Sequence, residues 1–141
     1  MFATTEQIII DRLQERMPGV TIAPLRELER VPELRQRAPA VWVIYDGYTV
    51  GQTIAPGAVQ QVTQQWYVVI AAKSARGAGE SNAARDQAGE LAEQVLGALL
   101  GFHLGGGRYL RLAEAPGPEY DAGYCHLPLA FSNAATFKGQ P

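Results

Sequence analysis

The sequence predicts an α+β domain: a mainly antiparallel β-sheet with two principal α-helices packed on one face, and a β-hairpin or loop that projects from it. Three observations lead there. Predicted elements fall in the order helix, strands, helix, strands, which favours a layered α+β sandwich over alternating βαβ units. Ala40 to Tyr45 and Trp66 to Ala71 are runs of β-branched and aromatic residues, the composition of buried strands. From Ala84 to Leu99 apolar residues recur at helical spacing.

Thr4 followed by Gln7 has the spacing of a capping box, and Ile9, Leu13 and Met17 then share one helical face, which predicts a first helix over Thr5 to Met17. Pro18-Gly19 ends it, because proline cannot continue the hydrogen-bond ladder and glycine accepts the left-handed exit. Val20 to Ala23 follows as a short strand. Leu25 to Ala38 mixes arginines and glutamates between prolines and reads as an exposed charged segment. Ala40 to Tyr45 is the next strand. Asp46-Gly47 is a strong two-residue turn signal, so Tyr48 to Val50 is expected to return beside it.

Gly51 to Ala58 contains Pro56-Gly57 and reads as a projecting loop. Val59 to Lys73 reads as one long strand, with a polar, glutamine-rich first half leaving the body and an apolar second half crossing the core. Arg76 to Gly79 is a glycine-rich connector. The second helix starts at Ser81 or Asn82 and runs to about Leu100, with Gly101 as terminator. Its buried stripe is Ala84, Ala88, Leu91, Val95 and Leu99, opposite Arg85, Gln87, Glu90, Glu93 and Gln94. Arg108 to Ala113 and Tyr120 to Phe131 are the last strands, separated by Pro116-Gly117-Pro118. The expected core is Trp42, Ile44, Trp66, Val68, Ile70, Leu91, Val95 and Leu99.

At 141 residues the chain has the length of one domain, spanning 1–141, with 1–4 and 132–141 expected as flexible termini. Hydrophobic residues make up 47%, enough for a core without disulfide or metal staples. The formal net charge of −2 gives no overall attraction to nucleic acid or to anionic lipid. Ten of the twelve basic residues are arginine, whose planar fork favours directed contacts with protein. A single cysteine, Cys125, rules out an internal disulfide. Met1 to Glu6 lacks the charged and apolar regions of a signal peptide, and no apolar run approaches the ~20 residues of a membrane span, so a soluble protein made in the cytosol is expected.

Candidate chemistry is sparse. Cys125 and His126 are consecutive on a strand and should face opposite ways, so they cannot readily share a metal. Cys125 reads as a packing residue, and His103 and His126 as surface or edge residues. A Cys125 and His103 nucleophile pair lacks an orienting acid and an oxyanion loop. Gly105-Gly106-Gly107 follows a helix, where a phosphate cradle must precede one. No catalytic, cofactor-binding or metal residue is assigned.

Pro39 to Tyr48 (PAVWVIYDGY), Gln65 to Ala71 (QWYVVIA) with the Arg-Gly connector after it, Ala88 to Leu91, and Tyr120 to Tyr124 through Leu129 to Phe131 resemble the tail terminator family of Mu-like phages and prophages. The resemblance runs from Thr5 to Phe131. It implies a non-enzymatic virion protein of the tail and neck, assembled in the host cytoplasm. Six copies would form a homo-hexameric ring on the tail tube, stop its polymerisation and offer a docking surface to the head-tail connector protein. Its partners would be itself, the tail tube protein and the connector, with no membrane and no specific nucleic-acid binding even where DNA passes through the ring.

A ring needs two different faces on each subunit. The candidates are the segment from Gly47 to Gln65, with Tyr48, Gln52, Thr53, Gln60, Gln61 and Gln64, and the charged segment with Arg26, Arg30, Arg35 and Arg37. Two other readings are a different neck component, such as a head-completion or connector protein, and a small cytosolic enzyme using Cys125 or His103.

Overall fold

A computed structural model describes residues 2–25, 38–73, 81–121 and 123–140, and among them are two helices and eight strands. Helix α1 is Phe2–Arg16 and α2 is Ser81–Leu99. The main sheet contains β1 (Thr21–Pro24), β2 (Ala40–Ile54), β3 (Val59–Lys73), β8 (Tyr124–Lys138) and β6 (Arg111–Ala113), in that order, with β7 (Glu119–Asp121) also on β8. β4 (His103–Gly105) and β5 (Arg108–Tyr109) form a separate two-stranded ribbon. All pairings in the main sheet are antiparallel except β1 with β2. The α+β architecture is therefore as the sequence predicts.

Both helices pack on one face. Ile9, Leu13 and Met17 from α1 and Ala84, Ala88, Val95 and Leu99 from α2 meet Val41, Val43, Trp66, Val68, Ile70 and Phe131 in the principal core. Arg12 ties the helices together, donating to the Ala98 carbonyl at 3.0 Å while its guanidinium lies 4.9 Å from the Phe102 ring centroid. A second cluster lies on the other face, with Trp42, Ile44, Val69 and Ala71 against Leu25 and Ala38. All eight expected core residues are buried, but Trp42 and Ile44 belong to this second cluster. The alternation of side chains along β2 and β3 places them opposite Trp66, Val68 and Ile70.

Six local expectations are corrected. The first helix begins at Phe2, so Thr4 lies inside it, and Gln7 donates to Asp11 at 2.7 Å along the helix. Asp46-Gly47 is no hairpin turn: β2 continues through it to Ile54, and the pairing with β3 shifts register between Tyr45 and Tyr48. Gly47, at φ 90°, supplies the conformation that such a bulge requires. The reversal comes at 55–58, where Ala55 and Gly57 both have positive φ and the Ala58 amide donates to the Ala55 carbonyl at 3.0 Å. Gly51 to Ile54 is thus strand rather than loop.

The expected strand Arg108 to Ala113 is divided at Leu110, which is buried and exchanges backbone hydrogen bonds with Gly101 and Phe102. Tyr120 to Phe131 is likewise two strands, turning beside Gly123 so that Tyr120 pairs with Cys125. Ser132 to Lys138, expected as part of a flexible terminus, forms the second half of β8 and pairs with β3 residue for residue.

Candidate protein-interaction surface

The three long strands build a feature larger than the loop read from the sequence. β2, β3 and β8 are each 15 residues, about 50 Å when extended. Their first contact region is the body, where β2 is buried from Ala40 to Ile44. From Tyr48 to Ile54 every β2 residue is exposed, so this part of β2 extends beyond the packed body. Residues 46–54, 59–65 and 132–138 therefore form a three-stranded arm, with β3 in its centre. At its tip the Gly139 amide donates to the Ala58 carbonyl at 2.7 Å, tying the end of β8 to the hairpin turn.

The described strands pair with only part of the outer edge of each of the arm's two outer strands. Among the described residues, β1 covers β2 only from Ala40 to Val43, and β6 covers β8 only from Ala130 to Ser132. Beyond those points each has β3 as its one strand neighbour. The β4–β5 ribbon comes alongside β8 at Ala134, where Gly107, Arg108, Tyr109 and Arg111 line a shallow hollow. Tyr48 and Val50 are 56% and 68% exposed on the edge of β2, an unusual exposure for residues of that size. A second exposed group, Tyr109 and Leu112, lies along β5 and β6.

The sequence-derived candidates divide by this geometry. Tyr48, Gln52, Thr53 and Gln61 are exposed on the arm. Gln60 is half-buried and acts within the arm: its amide donates to the carbonyls of Gly51, Gln52 and Gln61 at 3.0, 3.1 and 2.9 Å, and its oxygen accepts from the Thr53 hydroxyl at 2.7 Å. These bonds hold the second register shift of the hairpin, between Val50 and Thr53. Gln64 is not a surface residue. It is fully buried, accepting a 2.9 Å hydrogen bond from Asn133, whose side-chain oxygen accepts one from the Trp66 indole at 2.9 Å. Arg26, Arg30, Arg35 and Arg37 lie outside the described residues.

Sequence reasoning missed Val50, Ile54 and the edge of β8. The signal for both was present as apolar residues, Val50 at the end of the expected return strand and Ile54 in the expected loop; Asn133 to Lys138 carries no strong strand signal at all.

Cys125 is buried in the principal core, and burial raises its thiol pKa, an effect that Arg85 partly opposes. That is the opposite of an activated nucleophile. His103 is exposed on β4, stacked loosely on Tyr109. His126, expected at the surface, is buried, because β8 there lies between β3 at Ala71 and β7 at Glu119. Cys125 and His126 do point to opposite faces, and no group of three or more metal-ligating side chains converges among the described residues. Tyr45 lies with its ring 4.8 Å from Trp66; burial pushes its pKa up, while a hydrogen bond with Gln64 pulls it back. No helix among the described residues is long and apolar enough to cross a membrane.

A small domain whose most prominent surface is a stiff arm of strand edges and exposed aromatic and aliphatic side chains belongs to the class that acts by joining other proteins. The match to known families makes that particular: the family model for phage tail terminator protein covers residues 1–140, and the chain belongs to that family. It is a phage tail structural protein. Among individually curated proteins none matches the chain.

Proposed function

We propose that the chain caps the phage tail tube as a homo-oligomeric ring, with six copies expected, that ends tube polymerisation and gives the head-tail connector its docking surface. The observation that supports this reading is the arm with two different outer strands, β2 and β8, on opposite sides of β3. A closed ring needs a heterologous interface, in which one surface of each subunit meets a different surface of the next. The β2 edge from Tyr48 to Ile54 and the β8 edge from Ala135 to Lys138 are the two surfaces proposed, and outer strands bind other strands through their backbone groups. Tyr48, Gln52, Thr53 and Gln61 lie on that arm and are the proposed contacts with a neighbour or the tube. Arg26, Arg30, Arg35 and Arg37 are proposed as a second contact segment. The virion tail is then its site of action, reached from the cytoplasm of the host where assembly occurs.

The test is the mass of the purified protein by light scattering, with negative-stain images, followed by its addition to polymerising tail tube protein. Rings that bind tube ends and shorten the tubes are expected. A protein that stays monomeric and leaves tube length unchanged overturns the reading, and rings that bind portal-bearing heads but not tubes favour another neck component.

A further inference from the structure

The two ladders that hold β3 behave differently. Against β2, register shifts twice, between Tyr45 and Tyr48 and between Val50 and Thr53. Against β8 it is unbroken through fifteen pairs, from Val59 with Lys138 to Lys73 with Tyr124. In the body, large side chains such as Trp66, Val68, Ile70 and Phe131 set that register. In the arm they give way to Val62, Gln64 and Ala135, with Phe137 half-buried opposite Gln60 near the tip, and small or polar side chains of this kind discriminate less between one pairing and another. A slip of one residue would turn each side chain to the wrong face. A slip of two keeps the faces and is the alternative that must be excluded.

We infer that the buried chain of hydrogen bonds Trp66–Asn133–Gln64 is a register lock that forces the arm into a single pairing of β8 with β3. All three side chains have zero exposure, and the chain sits level with the first bulge of β2, where body becomes arm. Asn133 stands directly opposite Gln64 and two positions along from the partner of Trp66, which is Phe131. Its oxygen accepts from the indole and its amide donates to Gln64, both at 2.9 Å, with a further bond from the amide to the Ala134 carbonyl at 3.2 Å. Sliding β8 by two residues one way sets Ala135 opposite Gln64; sliding it the other way sets Phe131 there. Either slip parts the Asn133–Gln64 pair, so that the buried Gln64 oxygen and Asn133 amide lose the bond they make to each other, a loss that is costly for buried polar groups. Apolar residues of similar size would fill the space without distinguishing these registers, and a single buried polar contact is a known means of fixing register. Asn133, Gln64 and Trp66 are thus positioning residues: they decide which backbone groups and side chains the β8 edge presents.

Cysteine pairs report the register directly. Thr63 and Ala134 are opposite one another on the other face of the arm, so Thr63→Cys with Ala134→Cys should cross-link in the native pairing. Thr63→Cys with Thr136→Cys, or with Ser132→Cys, cross-links only after a slip of two. In the wild-type background the first pair alone should form a disulfide under mild oxidation, Cys125 being buried. In Gln64→Leu/Asn133→Leu a slipped pair should appear at a yield comparable with the native one, while circular dichroism and the melting transition show a folded body. Trp66→Phe removes the indole donor but keeps an aromatic ring against Tyr45, and should show the slipped product if the double variant does not fold. Slipped product absent from every folded variant overturns the lock. Slipped product with normal ring assembly supports the lock and instead sinks the reading of the arm as the subunit contact.

Discussion

Trp42 and Trp66 are both fully buried, yet they lie on opposite faces of the same sheet, Trp42 opposite Val69 and Trp66 opposite Tyr45 on the paired strands. The sheet therefore separates two apolar clusters that share backbone but few side-chain contacts. Ile70 belongs to the helix side and Ile44 to the other. Ile44→Val and Ile70→Val should each cost about 0.5–1.5 kcal/mol, and the double variant should equal their sum within about 0.5 kcal/mol. Urea unfolding of the three variants measures this. A coupling well beyond that margin means that the clusters act as one.

The packing of α2 gives the second prediction. Leu91→Ala opens a cavity where the helix lies on the sheet, and should destabilise by about 2–5 kcal/mol. Glu93→Ala, two residues on and exposed, should change stability by less than about 0.5 kcal/mol. Equal effects would contradict the buried face assigned to this helix.

Removing residues 134–141 tests the arm. The body should still fold, because Phe131 and the helix-facing core remain, but the tip loses its third strand and the Gly139 to Ala58 bond. Amide exchange in 48–62 should then accelerate strongly, and ring formation should fail. An inert tail would be removed without either consequence.

Burial of Cys125 raises its thiol pKa, so the folded state binds a proton there that the unfolded chain gives up at ordinary thiol pKa. Stability from this group is complete below the unfolded value, about 8.5, and is lost as pH rises toward the folded one. Cys125→Ala should flatten the decline in unfolding free energy from about pH 8 to 10. Iodoacetamide at pH 8 should label the native protein far more slowly than the unfolded chain. Rapid native labelling would show an accessible thiolate and reopen the nucleophile reading.

How much of this was legible in the sequence depended on whether a residue's partner was near it. The α2 stripe and the apolar halves of β2 and β3 were readable because their periodicity is local. Asp46-Gly47 misled, since a positive-φ glycine serves a bulge as well as a turn, and only pairing with β3 distinguishes them. Gln64 was read as a surface amide; its burial depends on Asn133, 69 positions away. Ser132 to Lys138 has weak strand propensity and becomes strand because β3 offers it an edge. The charged segment containing Arg26 to Arg37 lies outside the described residues, so that half of the expected surface stays a sequence-based proposal.

The unbroken pairing of β3 with β8 also orders events during synthesis. β8 is translated after every other strand of its sheet, so until it emerges β3 has one side open along all fifteen residues. A chain made only through β3 contains the residues of the β2–β3 hairpin but neither the β8 edge nor Asn133 of the polar lock. At about 5–20 residues per second the missing strand takes on the order of one to a few seconds to make. The proposed contact through the β8 edge therefore cannot form between neighbouring chains on one messenger until each has made that strand.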